Sequence, residues 1–243
     1  MKKTITTYSP IAAAVAGLFM LTACSKSADT TPTQTAKPET ASEQTLLVDE
    51  SRLSIYHGVD LTSDLSHLSD NQHKMLSLLI DASKIMDDLF WKQAFFEDKD
   101  AFLSSISDEK VRHFAAINYG PWDRLNGDTP FLSGYEDKAL GAEFYPHDME
   151  KEEFATADFG DKQGLYSMVK RDEAGNLYSV PYSEAFKSEL MKASDLLKKA
   201  SELAEDESFK QYLQLRSEAL LSNDYLASDM AWMDMKTNPV ELV

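Results

Sequence analysis

Cysteine is almost missing from this chain: 243 residues contain one, Cys24, which excludes an intrachain disulfide. No run of 18 apolar residues occurs, so no helix long enough to span a bilayer is encoded. Nine glycines and eight prolines are too few for a collagen-like or low-complexity chain. Basic residues are scarce, 24 against 41 acidic, for a formal charge of −17. That balance argues against a nucleic-acid partner, because a binder must neutralise phosphates with clustered Lys and Arg. Chemistry-bearing motifs are thin as well. The five histidines are His57, His67, His73, His113 and His147, and none is followed by glutamate, so no His-Glu-x-x-His zinc helix is present. Neither a Gly-x-Ser-x-Gly elbow nor a Gly-rich phosphate loop appears.

What is present is a globular composition, 43% apolar, sufficient for one large or two small domains. The chain opens with an address. Lys2 and Lys3 precede the apolar run Ile11–Leu21, which suits a secretory signal. Leu21-Thr22-Ala23-Cys24 then reads as a bacterial lipobox, giving a signal peptide over 1–23 and lipidation at Cys24. Cleavage removes two lysines and no acid, taking the charge from −17 to −19. Ser25, rather than aspartate, follows the cysteine. By resemblance to Gram-negative lipoproteins, that points to the outer membrane, facing the periplasm, with the membrane contacted through the lipid. Residues 25–45 hold no aromatic residue and no aliphatic larger than alanine, so they cannot bury enough surface to offset ordering entropy. The expectation is a disordered tether over 24–47 and a folded body over 48–243.

The body reads as predominantly α-helical α+β, a helical lobe with one small hairpin. Ser69 to Gln72 has capping-box spacing. Met75, Leu79, Ala82, Met86 and Leu89 then recur at helical intervals, with Leu78, Ile85 and Phe90 widening the stripe. Asp98 and Ser107 are expected to cap two short helices. Leu165–Lys170 and Leu177–Tyr182 read as strands about a turn at Gly175-Asn176. A second long helix starts near Ser183 with Phe186, Leu190, Ala193, Leu197, Ala200 and Ala204 inward. Asp206 caps a third, and Asn223 or Asp224 opens a last helix through Met235. Pro239–Val243 reads as the opening of a strand, which suggests a chain continuing into something longer. A natural tail docked as an edge strand is the alternative.

Between the helical stretches, residues 118–147 are rich in Gly and Pro with interleaved aromatics, a long ordered loop of the kind that is packed or functional. Asn118, Tyr119, Trp122, Asp123 and Arg124 are its candidates. Arg124 has the fork to grip a carboxylate, and Tyr119 or Trp122 the ring to wall a groove. The structural alternative is an internal ion pair between Arg124 and an acidic neighbour, with the aromatics as loop core. His147, Glu143, Asp148 and Glu150 form a loose oxygen-rich group, read first as exposed polar residues. Met230, Trp232, Met233 and Met235 hold soft thioethers suited to Cu(I). Leu226, Met230 and Met233 nevertheless have the spacing of a core stripe, and core packing is the expectation.

Ile117-Asn118-Tyr119-Gly120-Pro121-Trp122-Asp123-Arg124 resembles a known family. The likeness continues through Gly141–Met149, Lys151–Phe154, Ser228–Asp234 and Asn238–Val240. These blocks resemble the bacterial branch of peptidase family M49, the dipeptidyl peptidase III-like zinc hydrolases. The resemblance implies a two-lobed metallopeptidase that removes dipeptides from peptide N-termini, with peptides as partners and zinc as cofactor. It also implies a His-Glu-x-x-Gly-His metal motif and a later glutamate, none of which lies in these 243 residues. The resemblance therefore implies an N-terminal portion of such an enzyme, inactive alone, with no catalytic residue, metal ligand or cofactor of its own. The other reading is a complete periplasmic binding or scaffold lipoprotein without catalytic activity. Mass spectrometry of membrane-extracted protein is expected to show a mature N-terminus at lipid-modified Cys24; Cys24→Ala should release an unmodified, unprocessed form, and a lipid-free wild type would refute the anchor.

Overall fold

A computed structural model describes residues 44–242. The signal segment, Cys24 and the tether up to residue 43 lie outside the described residues. Backbone just ahead of residue 48 is already tied to the loop. Thr45 and Ser133 exchange hydrogen bonds (Thr45 N–H to the Ser133 hydroxyl, 2.8 Å; Ser133 N–H to the Thr45 carbonyl, 2.9 Å), and Leu47 N–H donates to the Phe131 carbonyl at 2.8 Å. Leu46 and Val48 pack on buried aromatics. Two aliphatics at this point are enough to seat backbone that composition alone assigned to the tether.

Helix α1 runs Asp70–Ala94, and its start is a complete capping box: Ser69 accepts from Gln72 N–H while the Gln72 side chain accepts from Ser69 N–H. Met75, Leu79, Ala82 and Leu89 of the expected stripe are buried, with Trp91 added. Phe90, expected to widen it, is 44% exposed and stands edge-on to Tyr119. Helix α2 is Lys99–Ser105, capped by Asp98. Helix α3 is Glu109–Asn118; its cap is Asp108, one residue beyond the expected Ser107, because the Asp108 carboxylate reaches both Lys110 and Val111 N–H.

The loop then folds back through β1 (Trp122–Asp123) and β2 (Thr129–Pro130), antiparallel with Trp122 opposite Pro130. A short helix α4, Lys151–Thr156, forms in the acidic run, with Glu152 and Glu153 in its first turn where the helix dipole favours negative charge. Strands β3 (Ser167–Arg171) and β4 (Leu177–Pro181) make the expected hairpin, Met168 opposite Val180 and Arg171 opposite Leu177. Its turn is organised by Asp172, whose carboxylate accepts from Ala174 and Asn176 N–H.

The second long helix is broken at its start. A single turn, α5 (Tyr182–Ala185), is separated from α6 (Lys187–Leu203) by Phe186, whose ψ of 29° leaves the helical range. All six expected inward residues, Phe186 to Ala204, are buried nonetheless. Helix α7 is Glu207–Ser222, buries Phe209, Tyr212, Leu213, Ala219 and Leu220 as expected, and ends at Asn223 in the left-handed region. Helix α8 is Leu226–Asp234. The strand expected after Pro239 is not formed among the described residues; Val240 and Leu242 pack on the helical core instead. No helix among the described residues is long and apolar enough to cross a membrane.

Two hydrophobic clusters result. One joins α1, α6 and α7 and takes in Met168 of the hairpin. The other gathers Trp91, Phe95, Phe102, Phe114, Trp122 and Phe131, and thus the end of α1, α2, α3 and the loop. Helix α1 contributes to both, so its length sets their separation.

Asp206 ties α7 to the tail. It accepts from Ser208, from Phe209 N–H at 2.9 Å and from the Thr237 hydroxyl at 2.8 Å, and these bonds hold its carboxyl down to about 2. Asp206→Ala is expected to cost about 1 kcal/mol in a urea melt. The folded value lies below the ordinary 3.8. The contribution is therefore complete above about pH 4 and is lost as pH falls toward about 2. The gap between wild-type and variant melts should close across that window.

Candidate functional site

Helix α3 ends abruptly. Tyr119 adopts φ 55°, and its N–H donates to the Ala115 and Ala116 carbonyls, satisfying groups the last turn leaves free. A left-handed tyrosine is strained by roughly 1–2 kcal/mol. The ring is held by Phe90 and Trp91 at centroid distances of 4.6 and 5.1 Å, and the hydroxyl donates to Asp87 at 2.6 Å. The Asp87 bond is the main reason the Tyr119 hydroxyl is pushed above its usual range, with burial second. Gly120 follows at φ 140°, where a Cβ would stand 3.1 Å from the Trp122 ring, so no larger residue fits without displacing it.

Asn118 and Asp123 lie inside. The Asn118 amide donates to the Phe114 carbonyl (2.9 Å), and its oxygen accepts from the Tyr56 hydroxyl and from Arg124 N–H, both at 3.0 Å. The Asp123 carboxylate, fully buried, accepts from Arg52 Nε at 2.5 Å and Nη2 at 3.1 Å, and from Leu125 N–H at 3.1 Å. Burying a carboxylate costs several kcal/mol unless such donors meet it. The internal ion pair expected of Arg124 is therefore made by Arg52, 71 residues earlier. Arg124 itself is exposed and makes no ion pair among the described residues. Sequence reasoning missed Arg52 because nothing in its surroundings marks it; only the fold brings it to the loop.

Trp122 donates its indole N–H to the Glu136 carbonyl (2.9 Å) and, with Lys138 5.6 Å over its ring, walls a cleft of about 660 Å³. Glu143 and His147 line the same cleft and share a 2.7 Å hydrogen bond. Of the expected groove residues, then, Trp122 does line a cleft, Tyr119 packs inward and Arg124 stands on the surface. A second, larger cleft of about 960 Å³ lies between the end of α1, the hairpin and the start of α6, crossed by the Lys92–Glu189 ion pair.

Neither cleft holds a reactive constellation. Among the described residues, no group of three or more His, Cys, Asp or Glu side chains is placed to hold a metal ion. All five histidines are exposed, and no hydrogen bond joins a histidine ring to a hydroxyl side chain. Among the described residues, neither cleft pairs a nucleophilic side chain with a base. Asp123→Ala should strand Arg52 and leave Leu125 N–H unmet, lowering the melting temperature by on the order of 10 °C. Arg124→Ala should leave it unchanged. Equal effects in calorimetry would show that the pair does not organise the loop.

No family model matches the chain. Among curated proteins it is 32% identical to Nudix hydrolase 3 of Arabidopsis thaliana over 247 aligned positions, covering 76% of this chain and 32% of that protein. Among solved structures it resembles dipeptidyl peptidase III from Caldithrix abyssi, with TM-score 0.73 and 37% identity over 77% of this chain and 38% of that one. The enzyme from Corallococcus sp. strain EGB matches with TM-score 0.71 and 32% identity, over 77% and 37% of the two chains. The chain thus spans between 32% and 38% of the length of these relatives. In sequence and in three dimensions it resembles part of the dipeptidyl peptidase III fold of the M49 family.

Proposed function

We propose that this chain is the non-catalytic portion of a dipeptidyl peptidase III-like zinc hydrolase of the bacterial cell envelope, anchored through Cys24 in the outer membrane and facing the periplasm. The observation that carries this reading is the likeness to two dipeptidyl peptidase III structures at 37% and 32% identity over 77% of the chain. The Nudix name belongs to a protein matched over 32% of its length, and its activity is not carried here.

Zinc in such hydrolases polarises the peptide carbonyl and activates water. The described residues do not fit that ion. Their histidines are dispersed and solvent-facing, several of their acidic side chains serve as caps or ion-pair partners, as Asp206 and Glu153 do, and no three or more of these side chains are gathered to hold an ion. The role left to these residues is architectural. Buried Asn118 and Asp123 hold the loop rigid, and that rigidity keeps Trp122 at the rim of a cleft where a peptide would lie. The exposed Arg124 guanidinium has the fork suited to a carboxylate.

The test is direct. The purified 24–243 protein, assayed with added zinc on dipeptidyl-naphthylamides, is expected to show no turnover above a buffer blank. Turnover abolished by a chelator would overturn the reading.

A further inference from the structure

Between the N-terminal segment and α1 the chain crosses the surface as a strap. Every residue from 57 to 67 is exposed, and residues 57–65 carry no secondary structure. No backbone N–H or C=O of residues 56–64 forms a hydrogen bond among the described residues. A Cβ at Gly58 would meet no atom within 4 Å. Val59 and Leu61 nevertheless hold apolar side chains in water, 71% and 93% exposed. Both ends of the strap are pinned. On one side is a clasp: Leu46, Val48, Leu53 and Tyr56 pack on the aromatic cluster, Arg52 forks onto Asp123, and the Tyr56 hydroxyl donates to Asn118. On the other, Leu68 is buried, and Ser69 caps α1 while its hydroxyl donates to Glu205 at 2.6 Å.

A protease groove takes its substrate in extended form, so most surface loops must open locally before they can be cut. The strap has no backbone hydrogen bond to break. Leu140 and Leu165 are almost as accessible, 88% and 80% exposed, but the backbone around them is tied. Leu140 lies in a turn closed by Ala142 N–H on the Ala139 carbonyl at 3.1 Å. Leu165 sits between a turn closed by Gly164 N–H on the Asp161 carbonyl (2.9 Å) and the bond from Tyr182 N–H to the Tyr166 carbonyl (2.8 Å). Severing the strap leaves the clasp whole, because none of its contacts runs through residues 57–67. The cut chain is then a two-piece particle. The buried Arg52–Asp123 pair, rather than a peptide bond, decides when the body parts from its N-terminal residues.

We propose that residues 57–67 form a processing site, where an endoprotease with an apolar S1 pocket hydrolyses the Leu61–Thr62 bond and the clasp keeps the two pieces together. Water gives its oxygen to the Leu61 carbonyl carbon, the C–N bond breaks, and a proton passes to the Thr62 nitrogen. The products are a carboxylate at Leu61 and a new amino terminus at Thr62. Chymotrypsin at a low ratio, acting on the purified 24–243 protein, is the probe; residues 25–45 hold no aromatic residue or leucine for it to cut. Mass spectrometry is expected to find the first cut after Leu61. Leu61→Asp should slow that cut about tenfold or more, whereas Leu140→Ser should leave its rate unchanged. In size-exclusion chromatography the two pieces of the nicked wild type should elute together. Those of nicked Arg52→Lys, which keeps the charge but loses the fork, should part at a lower urea concentration. A first cut at any other bond, or no cut under conditions that digest the urea-unfolded chain, would overturn the site. Pieces that separate in buffer alone, or a nicked Arg52→Lys chain as resistant to urea as the nicked wild type, would overturn the clasp.

Discussion

A carboxylate with no access to water governs this structure. Asp123 is fully buried, and its charge is tolerated because Arg52 forks onto it and Leu125 N–H completes the set. That pairing fastens the N-terminal segment to a loop 71 residues later. Asn118 repeats the logic with a neutral group, joining α3, Tyr56 and Arg124 N–H. Around these two polar centres the aromatic cluster closes, and Trp122 is held at the edge of a cleft.

The helical cluster beside it is built more simply. Stripes on α1, α6 and α7 meet, and burial of apolar area supplies the driving force. Helix α1 passes through both clusters, and its end forms one wall of the cleft it shares with the hairpin and α6.

Much of this was legible in the residues. The capping box at Ser69, the cap at Asp206 and the inward sets of α6 and α7 follow from spacing and local hydrogen bonding, which act within one or two turns. The Ile117–Arg124 block pointed to the family, and the solved structures agree with it. Other readings went astray where the deciding contact was distant. Arg124 was the expected partner for an acid nearby, yet Arg52 holds Asp123. Met230 and Met233 have core spacing, yet they are 52% and 65% exposed, while Ser228 and Ala231 face the core. Phe90 completes a helical stripe on paper, but Tyr119 draws it to the side of α1.

The amino-acid order alone determined which segments are helical, where most of them start and which periodic positions repeat on one face, because those outcomes depend on neighbours a few residues away. The tertiary structure decided which face of α8 is covered, which cation meets Asp123 and how Thr45 and Leu47 join the loop. Each of those depends on groups that chain connectivity leaves tens of residues apart, and only packing brings them within a few ångströms.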